Sequence, residues 1–516
     1  MKKHLLIGAA LLVIYAAGLI VFTGHRPIDG DEGFYATATA LVIDGKVPYS
    51  DFFYPQMPIL PYIYAPVEFL VGHSIHALRV LSAVLSIIGV FLWTAYLRKQ
   101  HGETPWAALA ALAALLLNPS FISWNVTVKT FASANLFATL ALVGVWQAQR
   151  TGKASWYLGV GIALGLLVEV RLLYLPVTAV ILGWLIVRAA RSGQGKSEWE
   201  SVWNCTLGVV FASLPAMLQL LNAPRAFLFN NFGYHSIRAV GKIPSFASRL
   251  VDVPIYFGRT LIQHPALLIL LALAIVGTWA ILKRRIPLSD EMRTFAYILI
   301  ACAGVFLVTS MTPFPLYQQY FTSPLVPFLF PLAAFGLVWL SESLTHWSLA
   351  AIMLVLIPML PMNLHAENQR NSRGGMWRPE TTTAIARMIA AKTPKHAKVL
   401  AFWPGYIYES GRRHYPGMEN HFALGVSPEI PLAERREFHI PSLAGVLAAV
   451  RGREADAVIY GGWMKEMQLI SRRNEIPYLR TKLGQNYRMV GAIGDAELYV
   501  RREEPLPRKK GDFPWE

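Results

Sequence analysis

Apolar stretches long enough to cross a lipid bilayer recur along the first 362 residues of this chain. A helix needs about 20 mostly apolar residues to span the hydrocarbon layer. Eleven stretches approach that length, with approximate bounds 4–23, 77–97, 105–118, 131–148, 155–170, 172–190, 203–221, 263–282, 294–310, 321–340 and 347–362. Only 15% of the residues are charged, against about 25% in soluble proteins, so the pattern predicts a polytopic, all-α membrane domain.

The excess of basic residues indicates how the chain is oriented. Its net charge is +16. A nucleic-acid-binding protein concentrates such charge on one face, whereas a membrane protein places it in short cytoplasmic loops. If the chain starts inside, the predicted inner loops hold Lys2, Lys3, Arg98, Lys99, Arg150, Lys153, Arg188, Arg191, Lys196, Lys283, Arg284, Arg285 and Arg293. We therefore expect a multi-pass protein of the cytoplasmic (inner) membrane, no nucleic-acid partner, and an extracytoplasmic C-terminus after an odd number of spans.

Two long segments and a tail lie outside in this arrangement. The segments are residues 24–76 and 222–262, and long loops in compact proteins are usually functional. After residue 362, helical patterns at 381–392 and 443–450 alternate with strand patterns at 398–403, 456–460 and 497–500. The sequence thus predicts a membrane domain over 1–362 and a C-terminal extracytoplasmic α/β domain over 363–516.

Three carboxylates crowd the start of the first outer segment. Asp29, Asp31 and Glu32 lie within four residues, next to a low-dielectric boundary where an unpaired charge is costly. Such a cluster suits a catalytic base, or a hard cation held by Asp29 and Asp31. The alternative is that Asp31 only caps a helix and the other two are solvated loop charges. A metal requirement stays open on these residues.

The pattern GDEGFY at residues 30–35, followed by GKVPYSDFFYPQMPILPYIYAP at 45–66, resembles the start of polytopic glycosyltransferases of the GT-C fold. It is most similar to the bacterial branch related to protein O-mannosyltransferases and aminoarabinose lipid A transferases. The resemblance covers about residues 1–340. It implies a polyprenyl-phosphate sugar as donor, and a glycan, lipid or protein acceptor at the outer face of the membrane.

The resemblance also implies roles for individual residues. Asp31 matches the catalytic base of an inverting transfer, with Glu32 beside it. The residues that match donor-phosphate contacts are Arg171, Lys129, Tyr320 and Gln319, and those placed at the acceptor or sugar pocket are Asp29, Tyr35 and Gln56. Two positions depart from the family: Phe131 stands where relatives carry an acidic residue, and Gln56 stands where aminoarabinose transferases have lysine. No cofactor is expected to be required, although a divalent metal remains possible.

Local alternatives exist for each cation. Arg171 could pair structurally with Glu169, and Lys129 could be an ordinary loop lysine. At the level of function, a transporter or flippase of lipid-linked sugars and a non-catalytic envelope assembly protein are the competing hypotheses. A transporter favours internal repeats and charges at mid-membrane. In this chain the predicted spans are nearly free of charge, which favours catalysis at the outer face.

Overall fold

The computed structural model describes residues 2–100, 119–192, 195–239, 246–312, 317–343, 375–462 and 475–505. Helices dominate these residues. The α-helices are Lys2–His25, Gly30–Ile43, Ile59–Val71, Ile75–Gln100, Pro119–Asn125, Thr130–Thr151, Trp156–Val170, Leu175–Arg191, Gly195–Ala212, Leu214–Asn222, Pro224–Leu228, Tyr234–Ala239, Phe246–Gln263, Pro265–Leu282, Asp290–Ser310, Gln319–Thr322, Val326–Ser343, Pro379–Lys392, Gly405–Tyr408, His421–Val426, Leu432–Glu437, Leu443–Gly452 and Glu475–Asn486. A π-helix, Phe229–Gly233, and three single turns of 3₁₀-helix, Leu172–Tyr174, Gly375–Trp377 and Ser427–Glu429, complete them.

Most of the predicted membrane spans coincide with helices. The exceptions, 105–118 and 347–362, lie outside the described residues. By length and composition, four described helices can cross a membrane, or up to seven if each bent pair of helices counts as one span. Trp156–Val170 and Val326–Leu340 are apolar but shorter. The chain is therefore multi-pass, while the predicted count of eleven stays a prediction.

The chain divides into two compact units, each made of three separate segments. The first, the helical unit, comprises Met1–Gly24, Arg79–Met217 and Ala239–Arg370. The second, the mixed unit, comprises His25–Leu78, Leu218–Arg238 and Asn371–Glu516. In this grouping the first outer segment and part of the second belong to the same unit as the C-terminal tail, while the domain boundary at residue 362 stays a prediction.

Glycines allow close helix packing in the helical unit. A Cβ added to Gly161 would lie 2.0 Å from the carbonyl oxygen of Cys205, and one added to Gly277 would lie 2.0 Å from that of Leu332. Trp156–Val170 thus packs backbone to backbone against Gly195–Ala212, and Pro265–Leu282 packs in the same way against Val326–Ser343. Small residues at such contacts are typical of membrane helix pairs, which associate through tight van der Waals packing.

The mixed unit is organised around a five-stranded sheet with strands β1 (Lys398–Ala401), β2 (Arg413–His414), β3 (Ala457–Tyr460), β4 (Tyr487–Ile493) and β5 (Ala496–Arg501). The strand order is β2-β1-β3-β5-β4. Strand β1 pairs in parallel with β2 and β3, whereas β5 pairs antiparallel with β3 and β4. All four residues of β3 are buried, and together with apolar side chains of the helices around the sheet they form the core of this domain. The predicted strands correspond to β1, β3 and β5.

Candidate functional site

The three clustered carboxylates stand at the start of helix Gly30–Ile43, which we call the acidic helix. Asp29 is its N-cap, and the Asp29 carboxylate accepts from the backbone N–H of Asp31 at 3.0 Å. In return, the backbone N–H of Asp29 donates to Glu32 Oε2 at 2.8 Å. This reciprocal capping box satisfies N–H groups that a helix start otherwise leaves unpaired. The cap is thus made by Asp29 and Glu32, not by Asp31 as one reading of the sequence expected.

The clustered carboxylates also differ in how far they are exposed to solvent. Glu32 is 0% exposed, and its Oε2 also lies 4.0 Å from the guanidinium of Arg26. Asp31 is partly exposed in the first turn of the helix. A buried carboxylate that already pairs with an N–H and a cation has little capacity left for a reaction. Asp31 is therefore the carboxylate best placed to meet a substrate.

Aromatic rings surround the acidic helix on its buried side. The ring of Tyr35 lies 4.1 Å from that of Phe34 and 6.3 Å from that of Tyr54. Tyr54 is held in turn by its backbone N–H, which donates to Asn230 Oδ1 at 2.9 Å. Gln56 is only partly buried, and its backbone carbonyl accepts from Tyr49. Tyr35 is thus a packing residue of the helix, while Gln56 keeps part of its surface accessible.

Lys129 stands at the start of helix Thr130–Thr151 in the helical unit. It is the N-cap residue, and its side chain makes no capping hydrogen bond because an ammonium has no acceptor. Its Nζ lies 3.4 Å from Gln319 Oε1 and 5.1 Å from the centre of the Trp124 ring. Only 4% of the residue is exposed. A buried lysine in this setting differs from the ordinary loop lysine that the sequence also allowed.

Arg171 lies beside the same helix start. One guanidinium nitrogen donates to Thr130 Oγ1 at 3.1 Å, and the group stands 5.0 Å from the Phe131 ring and 5.1 Å from the Tyr320 ring. Within the described residues this arginine forms no ion pair. The structure thus brings Arg171, Lys129, Tyr320 and Gln319 together. Two cations at a helix N-terminus, where backbone N–H groups already favour anions, form a site suited to phosphate.

The Glu169–Arg171 pair that the sequence left as an alternative is not present among the described ion pairs. Glu169 Oε1 instead accepts from the backbone N–H of Ala216, at 3.2 Å. Ala216 is in the first turn of helix Leu214–Asn222, so this carboxylate satisfies an N–H at the start of a helix. Glu169 therefore has a structural partner of its own, and Arg171 remains available for an anion.

A buried glutamate with two side-chain partners had no signal in the sequence. In the mixed unit, Glu68 is 4% exposed and hydrogen-bonds through its two oxygens to Tyr408 and His73. The carboxylate of Glu68 accepts a hydrogen bond from the protonated imidazole of His73 and thereby raises the pKa of His73. By contrast, burial lowers the pKa of His414 on β2 to about 3, helped by the charges of His73 and Lys46.

No described group of three or more His, Cys, Asp or Glu side chains is arranged to hold a metal ion. Asp29, one of the two residues named for a possible cation, uses a carboxylate oxygen in the helix cap. The absence of a required cofactor stays a prediction.

Comparison with known proteins identifies the fold. Residues 55–217 match the family model described as dolichyl-phosphate-mannose-protein mannosyltransferase. No functionally curated protein matches the chain at a significant level. Among solved structures, ArnT from Cupriavidus metallidurans bound to undecaprenyl phosphate aligns with a TM-score of 0.65 at 13% identity, covering 98% of this chain and 99% of that one. Its apo state aligns with a TM-score of 0.63.

The oligosaccharyltransferase of Archaeoglobus fulgidus in its apo form also aligns, with a TM-score of 0.55 at 11% identity. The alignment covers 98% of this chain and 75% of the archaeal one. At these identities the structures establish the fold. The predicted GT-C fold, related to that of ArnT and the O-mannosyltransferases, is thus confirmed.

Proposed function

We propose that this protein is a membrane glycosyltransferase that transfers a sugar from a polyprenyl-phosphate carrier to an acceptor hydroxyl at the outer face of the cytoplasmic membrane. The observation that carries the proposal is the anion site at the start of helix Thr130–Thr151, where Arg171 has no ion-pair partner among the described residues. A membrane-level arginine must pair or bind an anion. The phosphate of a lipid carrier is an anion at that depth, and the ArnT structure contains such a lipid, undecaprenyl phosphate.

In the proposed reaction Asp31 is the general base. It takes the proton of the acceptor hydroxyl as that oxygen attacks the anomeric carbon. The bond between this carbon and the phosphate oxygen breaks in the same step, and the lipid phosphate leaves with the electron pair. One displacement without a covalent intermediate inverts the anomeric configuration, as it does in inverting hydrolases.

The remaining residues have supporting roles in this proposal. Arg171 and Lys129 stabilise the charge that develops on the leaving phosphate, with Gln319 and Tyr320 holding the two cations in place. Glu32 and Asp29 shape the first turn that carries Asp31. Gln56, which is only partly buried, contacts the acceptor or sugar, and the buried Tyr35 supports the acidic helix from behind. No metal takes part in these proposed steps.

The test is turnover of purified Asp31→Asn protein in detergent, with undecaprenyl-phosphate hexoses and pentoses as donors and an envelope extract as acceptor. Asparagine keeps the shape of the side chain and caps helices about as well as aspartate. Loss of a general base costs about 10²–10⁴ in rate. Asp44→Asn, at the exposed far end of the same helix, is the matched control and should turn over normally.

Three outcomes would change the proposal. Near-normal turnover by Asp31→Asn would remove Asp31 as the base. Equal losses in Asp29→Asn and Asp31→Asn, together with inhibition by a chelator, would make the reaction metal-dependent. Movement of labelled lipid across vesicle membranes without any sugar transfer would favour the flippase.

A further inference from the structure

The loop that follows β1 contacts the first turn of the acidic helix. Trp403 is 1% exposed, and its indole Nε1–H donates to the carbonyl oxygen of Gly30 at 2.9 Å. Both residues belong to the mixed unit. The hydrogen bond joins the C-terminal α/β domain to the residue that immediately precedes Asp31.

The fit between this indole and the helix leaves no space for another side chain. A Cβ added to Gly33 would lie 2.7 Å from Cε2 and Nε1 of Trp403, and 2.8 Å from the backbone nitrogen of Gly405. Real Cβ atoms do not approach other atoms so closely, so a side chain at position 33 would force the indole and the backbone at Gly405 to shift. Gly30 and Gly33 are three residues apart and share one face of the helix. Asp31 is about 100° around the helix from Gly30, so the indole can hold the turn without lying over Asp31.

Two more contacts from the same domain follow along the helix. The ring of Phe34 lies 5.8 Å from that of Phe422 and 6.1 Å from that of His421. Thr37 Oγ1 lies 3.4 Å from His414 Nε2. Contacts at successive turns fix both the rotation of a helix about its axis and its position along it. Of these contacts, the indole hydrogen bond is the one made at the turn that bears Asp31.

The position of Trp403 in the fold is also informative. It is the second residue after β1, at the carboxyl ends of the parallel strands β1 and β3. In open α/β sheets this is the edge at which ligands bind. In this protein the loop at that edge contacts a helix of its own chain.

We propose that Trp403 is a positioning residue for the reaction, and that the C-terminal α/β domain uses it to set the rotation and height of Asp31. This inference rests on the proposed role of Asp31 as the base. A base must stand within hydrogen-bond reach of the proton that it removes, and a misplacement of about 1 Å can cost on the order of 10²-fold in rate. The effect of Trp403 is therefore expected on kcat, while donor binding depends on residues elsewhere.

The first variant is Trp403→Phe, which keeps an aromatic ring and removes the N–H donor. We expect kcat to fall about 10-fold or more, with KM for the lipid donor within about 2-fold of the original. The matched control is Tyr487→Phe, which removes a buried hydroxyl that donates to Ala455 O in the same domain. It should lose a similar amount of stability and keep its kcat.

A double-mutant cycle separates positioning from general destabilisation. If Trp403 acts through Asp31, Trp403→Phe should cause no further loss in the Asp31→Asn background, because the group that it positions is gone. Gly33→Ala is a second variant that disturbs the contact between Trp403 and the acidic helix. Its methyl group displaces the indole from the helix, while alanine itself favours helix formation. It too should lower kcat in folded protein.

The outcomes distinguish this inference from the proposed function. Normal kcat in folded Trp403→Phe and Gly33→Ala, beside a strong loss in Asp31→Asn, would overturn the positioning role alone. If Trp403→Phe lowered kcat by the same factor in the original protein and in the Asp31→Asn variant, the positioning role would also be overturned. Near-normal turnover by Asp31→Asn would overturn the base assignment, and the positioning role with it.

Discussion

Arg171 holds its guanidinium beside the rings of Phe131 and Tyr320 and donates one hydrogen bond, to Thr130. If its other donors bind the donor phosphate, Arg171→Ala should weaken that contact and leave the fold intact. Charge-assisted hydrogen bonds contribute about 1.5–3 kcal/mol, which corresponds to a rise of roughly 10- to 100-fold in Kd. The measurement is binding of undecaprenyl phosphate to purified protein in detergent.

Arg188→Ala is the matched control for this prediction. Arg188 is also an arginine of the helical unit beside aromatic rings, but it pairs with Glu198. The Arg188→Ala substitution should leave the Kd for undecaprenyl phosphate unchanged. If Arg171→Ala expresses poorly and the surviving protein binds undecaprenyl phosphate normally, the role of Arg171 is structural.

At the scale of elements, Glu68 links helix Ile59–Val71 to helix Gly405–Tyr408. The Tyr408 hydroxyl donates to a carboxylate that is almost fully buried. Tyr408→Phe leaves one oxygen of Glu68 without this donor, which costs about 1–3 kcal/mol. We expect a lower Tm for Tyr408→Phe in a thermal unfolding measurement.

Tyr415→Phe is the comparison for that measurement. It removes a hydroxyl that donates to Glu454 at 2.6 Å, in an exposed pair on the same domain. Exposed pairs of this kind contribute about 0–1 kcal/mol, so its Tm should hardly change. Equal losses in the two variants would show that burial of Glu68 does not set the energy of the contact.

Local sequence patterns predict some of these features and not others. The acidic helix has a local signal, because a capping box and three carboxylates are contained in four neighbouring residues. Trp403 and Tyr408 have no local signal, since each donates a hydrogen bond to a residue more than 300 positions earlier, Gly30 and Glu68. Only the folded chain places them together. The same holds for strands β2 and β4, which have no clear alternation of apolar and polar residues.

At the scale of the whole molecule, the apolar stretches were sufficient to predict a multi-pass protein, since length and composition decide which helices can enter a bilayer. The grouping of segments was not predictable in this way. Residues 25–78 and 218–238 belong with the tail in the mixed unit, and that association depends on contacts such as Trp403 with Gly30 and Phe229 with Phe438. The boundary predicted at residue 362 follows from composition alone and stays a prediction.

The orientation of the chain is the prediction at this scale. Basic residues concentrate in alternate loops, and such loops stay in the cytoplasm, so the C-terminus should be outside. A green fluorescent protein fused after Glu516 should be dark, because it does not fold after export, whereas alkaline phosphatase at the same position should be active. Fusions after Arg191, in a predicted inner loop, should give the reverse pair of signals. Fluorescence from the C-terminal fusion would mean an even number of spans, and it would place the α/β domain, with Trp403, on the cytoplasmic side of the membrane.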